Sequence, residues 1–232
     1  MQMKIIGHRG SAGTTPENTL LSFAEVMKSG AYAIEFDVQK CATGQLVVIH
    51  DPRVDRTTNG SGLVREMSLD ELRALDAGKN EQIPLLTEVL DLVAGRIKVN
   101  IELKSLGTAA KTAEILDQYV IDGKFTYDQF LVSSFVHPEL MLFQALCPQC
   151  LIALLIAHVP ANHADTYAQM NIWSLNINLN SASEAFVQSA HKNNFQIFVY
   201  TVNHPDDFLR LQQMGVDGIF TDYPSRFCQD KS

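Results

Sequence analysis

The sequence lacks the features that mark membrane, secreted and nucleic-acid-binding proteins. Its 232 residues contain no run of about eighteen apolar residues, so no transmembrane helix is predicted. The N-terminus has no charged start followed by a long apolar stretch, so we expect no leader and a cytoplasmic location. Positive charge is scarce, because 18 Lys and Arg stand against 26 Asp and Glu and leave a net charge of −8. An acidic chain repels polyanions, so we do not expect nucleic acid as a partner. The segment 51–84 is largely polar, so we expect no stable membrane association.

Cysteine is also scarce, with Cys41, Cys147, Cys150 and Cys228 as the four representatives. Cys147 and Cys150 form one CxxC motif, but neither a second motif nor a suitably spaced histidine accompanies it. The pattern favours reduced thiols over a redox or zinc site. Apolar residues are plentiful, at 46% of the chain, which is enough for a sizeable core.

The second half of the chain alternates strand-like and helix-like segments at a steady spacing. Apolar strand-like runs begin at Phe130, Leu151, Ser174, Gln196 and Gly218, which are 21 to 23 residues apart. Segments with helical spacing lie between them, among them 138–146, 183–191 and 205–214. This alternation is typical of stacked βα units that share a parallel sheet.

The first half adds four strand-like runs, over 4–8, 33–39, 46–50 and 97–104. Only residues 40–45 separate the second run from the third, whereas a parallel crossover needs a dozen or more residues. Those two runs are therefore predicted to form an antiparallel hairpin. Eight parallel strands remain, which predicts an α/β fold of the TIM (β/α)8 barrel type.

The hairpin leads into a long, largely polar segment before the next helix-like pattern, at 86–93. We interpret residues 40–84 as a hairpin and small insertion that follow the second strand and lie above the barrel. The segment includes a short helix-like piece at 68–75. Neither a linker nor a change in composition is visible, so residues 1–232 are predicted to form a single domain.

Three of the predicted barrel strands end in ionisable side chains. The residues concerned are His8, Arg9, Glu35, Asp37, Glu102 and Lys104. Because the carboxyl ends of barrel strands meet at one face, which carries the active site in such folds, we expect these side chains to lie together. Residues two apart in a strand point the same way, so Glu35 with Asp37, and Glu102 with Lys104, share a face.

The predicted hairpin brings a further histidine towards this group. If the chain turns about Thr43 and Gly44, then Asp37 lies opposite His50. A slip of one residue in the strand pairing would weaken this placement, because it moves every side chain to the other face.

The residue types suit metal-assisted chemistry on a phosphate ester. Three clustered carboxylates repel one another, and oxygen ligands favour a hard divalent cation, Mg²⁺ or Ca²⁺. Arg9 and Lys104 suit phosphate oxygens, and His8 and His50 titrate near neutral pH, as an acid and a base must. The alternative without a metal is that Glu35 and Asp37 form ion pairs with Arg9 and Lys104.

Six motifs, in order along nearly the whole chain, resemble those of the glycerophosphodiester phosphodiesterases, in particular the cytosolic bacterial branch. They are His8-Arg9-Gly10 with residues 16–19, then 35–37, 48–51, 102–104, 200–203 and 215–224. Each motif is weak alone, but six in the same order are specific. The resemblance implies a TIM-barrel enzyme that hydrolyses glycerophosphodiesters, the deacylated phospholipids, to sn-glycerol 3-phosphate and an alcohol.

The resemblance also implies roles for individual residues. The family's metal ligands correspond to Glu35, Asp37 and Glu102, which would hold one divalent cation. Its two catalytic histidines correspond to His8 and His50.

Substrate contacts follow from the same resemblance. Arg9 and Lys104 match the positions that contact the phosphate, and Tyr200 stands where the family often has Trp. Two other functions stay open at this point: a phospholipase C- or D-like enzyme acting on intact or lyso-lipid, and a non-catalytic phosphodiester sensor. Neither the head-group alcohol, the choice of cation nor the oligomeric state follows from the sequence.

Three segments near these motifs have simpler explanations. Residues 14–19 are most simply the start of a helix, with Thr15, Asn18 or Thr19 as its cap. Residues 222–224 favour a turn. Tyr200 and Asn203 fit a substrate wall and barrel packing equally well.

Overall fold

The computed structural model describes residues 3–228. Its nine strands are β1 (Lys4–Gly7), β2 (Ala33–Lys40), β3 (Leu46–Val48), β4 (Lys98–Leu103), β5 (Phe130–Ser134), β6 (Leu151–Ile156), β7 (Ser174–Asn178), β8 (Gln196–Tyr200) and β9 (Gly218–Thr221). Its helices are α1 (Leu20–Lys28), α2 (Leu69–Arg73), α3 (Leu86–Val93), α4 (Ala109–Ile121), α5 (His137–Leu146), α6 (Glu184–Lys192), α7 (Pro205–Gln213) and α8 (Pro224–Phe227).

Eight of the strands form a closed parallel barrel. β1 pairs in parallel with both β9 and β2, and every other barrel strand pairs in parallel with its neighbour. β3 is antiparallel to β2 and lies outside the ring. The prediction of a (β/α)8 barrel with an additional hairpin is therefore confirmed. The connection from β6 to β7 has a 3₁₀ turn, His163–Tyr167, in the place of a full helix.

Alternation along the strands separates a packed outer face from the barrel interior. On β2, Phe36 and Val38 belong to the main core between strands and helices, whereas Glu35 and Asp37 occupy the alternate positions. Within the barrel, a small apolar cluster fills the lower layers, formed by Ile6, Ala33, Phe198 and Phe220. Glu35, Asp37 and Glu102 lie in the upper layers, where the strands end, whereas Lys4 lies at the opposite end, with its Nζ 5.8 Å from the centroid of the Phe198 ring.

The helices begin where their capping residues predict. The Thr19 side chain accepts a hydrogen bond from the Ser22 amide at 3.2 Å and caps α1, a contact typically worth about 1 kcal/mol. On α3, Leu86, Val89 and Leu90 recur at helical spacing and are buried. None of the helices within residues 3–228 is both long and apolar enough to cross a bilayer.

The hairpin and insertion pack around a core of their own. This second cluster consists of Cys41, Val47, Ile49, Val54, Val64, Leu72, Ala77 and Ile83. Ser68 and Glu71 form a capping box at the start of α2. The hairpin and insertion thus have a buried apolar cluster separate from the main core between the strands and helices.

The predicted pairing of Asp37 with His50 was wrong by one residue. The ladder pairs Val38 with Val48, and the Ile49 amide donates to the Asp37 carbonyl at 3.0 Å. The cause is the turn, which closes with the Cys41 amide on the Gln45 carbonyl and centres the hairpin on Thr43. β3 ends at Val48, so His50 reaches the site from the loop that follows.

Candidate active site

A pocket of about 130 Å³ opens above the carboxyl ends of the barrel strands. Its polar side is formed by His8, Arg9, Glu35, His50, Glu102 and Lys104, and its apolar side by Phe135, Leu155, Tyr200 and Phe220. Asp37 lies beneath the polar side and contacts Arg9 and Lys104. All eight predicted site residues are therefore brought together.

The three predicted carboxylates form a buried cluster. Glu35, Asp37 and Glu102 each offer an oxygen within 4.8 Å of the others. Their exposed fractions are only 3%, 1% and 9%. The parallel register explains their proximity, because it places Asp37 of β2 beside Glu102 of β4.

Asp37 is the most tightly held of the three. The Asn18 side-chain amide donates to Asp37 Oδ2 at 2.9 Å and accepts from the Asp37 backbone amide at 3.3 Å. Burial would raise the pKa of Asp37, but Lys104, Arg9 and His50 outweigh it and lower that pKa. Within residues 3–228, Asp37 Oδ1 is buried without a hydrogen-bond donor.

The two glutamates behave in the opposite way. Burial, with repulsion from Asp37, raises the pKa of Glu102 to about 7. Burial, Asp37 and Glu102 raise the pKa of Glu35 well above its usual range. When ionised, the three carboxylates therefore carry more negative charge than Arg9 and Lys104 offset, and a proton or a cation must supply the difference.

Two cations lie against the cluster. Lys104 Nζ is 2.7 Å from Glu102 and 3.5 Å from Asp37, and these carboxylates raise its pKa although burial would lower it. Arg9 lies 3.5 Å from Asp37. The metal-free ion-pair alternative is thus partly present, but these pairs leave Asp37 Oδ1 without a hydrogen bond.

Arg9 has an unusual backbone that aims its amide at the cluster. Its φ is +52°, a left-handed conformation that costs a non-glycine residue about 1–3 kcal/mol. In this conformation the Arg9 amide donates to Glu35 Oε2 at 2.7 Å. Gly10 follows with φ +83°, and a Cβ there would lie 2.2 Å from Ser22 Oγ, so only glycine fits. The strained β1–α1 turn therefore fixes Glu35 from above.

A carboxylate that the sequence analysis missed supports His8. His8 Nδ1 is 2.7 Å from Asp222 Oδ1, and Asn203 Nδ2 donates to Asp222 Oδ2 at 2.6 Å. Burial would raise the pKa of Asp222, but the hydrogen bond with His8 lowers it. The sequence favours a turn at residues 222–224, although Asp222 directly follows β9. The rule that barrel strands end in functional residues, applied to β9, would have found it.

His50, like His8, has an aspartate at hydrogen-bond distance from its Nδ1. Its Nδ1 is 2.6 Å from Asp51 Oδ1, and the Gln39 side-chain amide donates to the His50 carbonyl at 2.9 Å. Burial and Lys104 lower the pKa of His50, against the opposing effect of Asp37. Each histidine thus has its Nδ1 on a carboxylate, which fixes the ring and leaves Nε2 for another partner.

Arg56 of the insertion connects both halves of the site. It donates to Asp51 Oδ2 at 2.7 Å and to both oxygens of Glu17 at 2.8 Å. Glu17 in turn accepts from Arg9 at 2.9 Å. Sequence reasoning missed Arg56 and Glu17, because a contact between loops 39 residues apart leaves no periodic signal.

Tyr200 serves packing and lines the pocket at once. Its hydroxyl donates to the Ile156 carbonyl at 3.0 Å, and its ring meets Phe135 edge-on at 5.9 Å. Both rings line the pocket. Its contact with substrate stays a prediction. Asn203 holds Asp222 instead of facing the pocket.

Comparisons with known proteins agree with this arrangement. Residues 8–226 match the model of the Glycerophosphoryl diester phosphodiesterase family. The chain is 38% identical to a glycerophosphodiester phosphodiesterase of Bacillus altitudinis, covering 96% of each chain. It is 35% identical to one from Caldanaerobacter subterraneus subsp. tengcongensis, covering 97% of this chain and 96% of that one.

A solved structure shows the same fold. An Oleispira antarctica phosphodiesterase in complex with the product sn-glycerol-3-phosphate superimposes with a TM-score of 0.88. The two are 29% identical, and the match covers 97% of this chain and 94% of that one. With the family match spanning nearly its whole length, this chain belongs to the glycerophosphoryl diester phosphodiesterase family.

Proposed function

We propose that this enzyme hydrolyses glycerophosphodiesters to sn-glycerol 3-phosphate and an alcohol, with one divalent cation and two histidines. The observation that carries the proposal is the buried carboxylate triad flanked by two imidazoles that are each held by an aspartate. The product found in the Oleispira antarctica enzyme supports the same reaction here.

Glu35, Asp37 and Glu102 would hold the cation. The fit is chemical, because three carboxylates with one oxygen lacking a hydrogen bond suit a hard ion, Mg²⁺ or Ca²⁺. When bound, such an ion supplies Lewis-acid polarisation of a phosphate oxygen. Arg9 and Lys104 border the same pocket and would offset the charge that develops on the phosphoryl oxygens.

His8 and His50 would move the protons. Asp222 and Asp51 hold Nδ1 of each ring, so Nε2 is the nitrogen that would exchange a proton with substrate. One histidine takes a proton from the nucleophile, and the other gives one to the departing alcohol. The nucleophile is water or the substrate's own 2-hydroxyl, which would form a cyclic phosphate first. Solvent oxygen enters the phosphate by either route, so the routes are separated by the cyclic phosphate itself: its appearance during a single turnover identifies the hydroxyl, and release of sn-glycerol 3-phosphate without it identifies water.

A small water-soluble diester is the substrate in this proposal, with neither nucleic acid nor a membrane as partner and with the cytoplasm as location. The net charge of −8 supports this choice, because an acidic surface repels polyanions and anionic lipid. Sedimentation with anionic vesicles tests it, and co-sedimentation of the enzyme would contradict it.

The direct test measures sn-glycerol 3-phosphate released from glycerophosphocholine and glycerophosphoethanolamine. The assay is run with EDTA and again after Mg²⁺ or Ca²⁺ is restored. We expect release that EDTA abolishes and a cation restores. Release that persists unchanged in EDTA would contradict the metal site, and no release under any condition would contradict the activity.

A further inference from the structure

A second cavity adjoins the catalytic pocket and has a different character. It has a volume of about 200 Å³ and shares His50 and Lys104 with the catalytic pocket. The remaining side chains of its lining include Lys40, Arg65 and Ser105. Two cavities that meet at His50 and Lys104 match a phosphodiester, whose phosphorus carries two substituents.

The charge of this second cavity is unusual for so acidic a chain. Three cationic side chains, Lys40, Arg65 and Lys104, line it, and none of the described residues in its lining is Asp or Glu. Within residues 3–228, Lys40 has no carboxylate within ion-pair distance, and Arg65 has only an exposed contact of 3.4 Å with Glu66. An exposed pair of that length contributes little, so both cations can bind a ligand.

Two elements of the fold place Lys40 and Arg65 in the lining of the second cavity. Lys40 ends β2, and its Nζ lies over the loop after β4, 3.6 Å from where a Cβ on Gly107 would be. Arg65 lies in a 3₁₀ turn of the insertion, Val64–Glu66, next to the hairpin because the Ala42 amide donates to the Met67 carbonyl at 2.9 Å. The hairpin and insertion therefore build the second cavity.

The carboxylate triad decides which substituent enters which cavity. Glu35 and Glu102 line the catalytic pocket but not the second cavity. The glycerol hydroxyls, which suit the metal side, belong in the catalytic pocket. The departing alcohol then lies in the basic cavity.

Resting on the function proposed above, we propose that Lys40 and Arg65 form an anion-binding subsite for the departing alcohol. The enzyme would prefer diesters whose alcohol carries its own negative charge, a carboxylate or a second phosphate. Diesters of quaternary ammonium alcohols would be poorer substrates, because Lys40 and Arg65 face the head group.

The test compares pairs of substrates in which one departing alcohol carries an additional negative charge. Bis(glycerophospho)glycerol and glycerophosphoglycerol release a glycerol oxygen in both cases, but only the first keeps a second phosphate on the departing side. We expect kcat/KM to be about tenfold higher for the first, equivalent to about 1.4 kcal/mol. Glycerophosphoserine against glycerophosphoethanolamine tests a carboxylate in the same way. The preference falls at high salt, because rim charges are screened.

Variants locate the preference in the second cavity. In Lys40→Gln, Arg65→Gln and the double variant, we expect a smaller ratio of kcat/KM for bis(glycerophospho)glycerol to that for glycerophosphoglycerol. Its lower limit is about two, because the first substrate has two equivalent phosphates that can be cleaved. Arg53→Gln is the matched control, since Arg53 pairs with Asp55 in the same insertion and does not line either cavity. It keeps the wild-type ratio. Thermal melts confirm that each variant is folded.

Two results would overturn the inference, and they separate it from the proposed function. A ratio of the two kcat/KM values no higher than the twofold that two equivalent phosphates give, or a preference that survives the double variant, rejects the subsite and leaves the phosphodiesterase function intact. A lack of hydrolysis of every diester rejects both.

Discussion

At the scale of single residues, the site consists of two carboxylate-supported histidines around a triad of acids. The sequence predicted Glu35, Asp37, Glu102 and Lys104 because residues two apart in a strand share a face and barrel strands end at the active site. The same strand-end rule applies to Asp222, which directly follows β9, but the turn signal of residues 222–224 masks it. Its contact with His8, 214 residues away along the chain, leaves no local pattern in the sequence.

Removing the charge of Asp222 tests its support of His8. Asp222→Asn keeps the side-chain shape but alters the tautomer of His8. We expect kcat to fall by about 10²–10⁴-fold with a small change in KM, as when the aspartate of a catalytic triad is replaced. Steady-state kinetics on glycerophosphoethanolamine measure both constants.

The matched control is Asp206→Asn, because Asp206 pairs with His204 at 3.5 Å on the surface. It should keep wild-type kcat. A kcat for Asp222→Asn within threefold of wild type would contradict a role for Asp222 in catalysis.

The raised pKa values of the glutamates predict how stability depends on pH without metal. Glu102 has a pKa of about 7 in the folded protein against 4.5 ordinarily, so the unfolded chain loses its proton first. Glu102 therefore contributes to the free energy of unfolding an amount on the order of 3 kcal/mol. This contribution is fully present below pH 4.5 and is lost as pH rises through 7.

Urea unfolding in EDTA between pH 5 and pH 8 checks this sign. The free energy of unfolding should fall with pH in wild type and fall less in Glu102→Gln, which does not titrate. Mg²⁺ or Ca²⁺ should restore stability at pH 8, since a ligand that binds the folded state stabilises it. A wild-type profile that is flat or rises over this range would show that Glu102 is ionised in the folded protein.

At the scale of elements, the hairpin and insertion were predicted as a unit but not in detail. Connection length alone showed that β2 and β3 are antiparallel. The register was wrong by one residue, because the turn's hydrogen bonds, which fix the register, do not follow from the hydrophobic pattern. The insertion's contact with the site through Arg56 was also missed, since it depends on how loops pack.

Arg56 should help to position both His50 and Arg9 in the active site. Arg56→Ala removes the hydrogen bonds to Asp51 and Glu17, which lie behind His50 and Arg9. We expect kcat/KM to fall by about tenfold or more, the effect of losing a charge-assisted hydrogen bond of about 1.5–3 kcal/mol. Arg56→Lys should restore part of the lost kcat/KM. A lysine ammonium keeps the charge, but it lacks the planar guanidinium that donates to Asp51 and Glu17 at once.

Kinetics of the four proteins, wild type, Arg56→Ala, Arg56→Lys and the insertion control Arg53→Ala, give the comparison. If Arg56→Ala and Arg53→Ala have the same kcat/KM, Arg56 has no positioning role. When Arg56→Ala is added to His50→Ala, the further decrease in kcat/KM should be smaller than in wild type. The reason is that Arg56 can then act only through Glu17 and Arg9, and no longer through Asp51 and His50.

At the scale of the whole molecule, the regular spacing of strands was the strongest signal. Five strands in the second half begin 21 to 23 residues apart, and three more in the first half bring the number of parallel strands to the eight that the structure closes into a barrel. The grouping of the charged site residues follows from the sequence too, because they end barrel strands whose carboxyl ends meet at one face. The basic second cavity did not follow, since its cations come from three separate segments.

The central claim is that the buried triad binds a divalent cation needed for phosphodiester hydrolysis. The most direct measurement is the rate of sn-glycerol 3-phosphate release from glycerophosphoethanolamine as free Mg²⁺ or Ca²⁺ is titrated into EDTA-treated wild type and Asp37→Asn. We expect saturable activation of wild type, and in Asp37→Asn a rate at least about 100-fold lower with a higher cation requirement. A wild-type rate that is independent of the cation, or an Asp37→Asn enzyme with the wild-type activation curve, would contradict it.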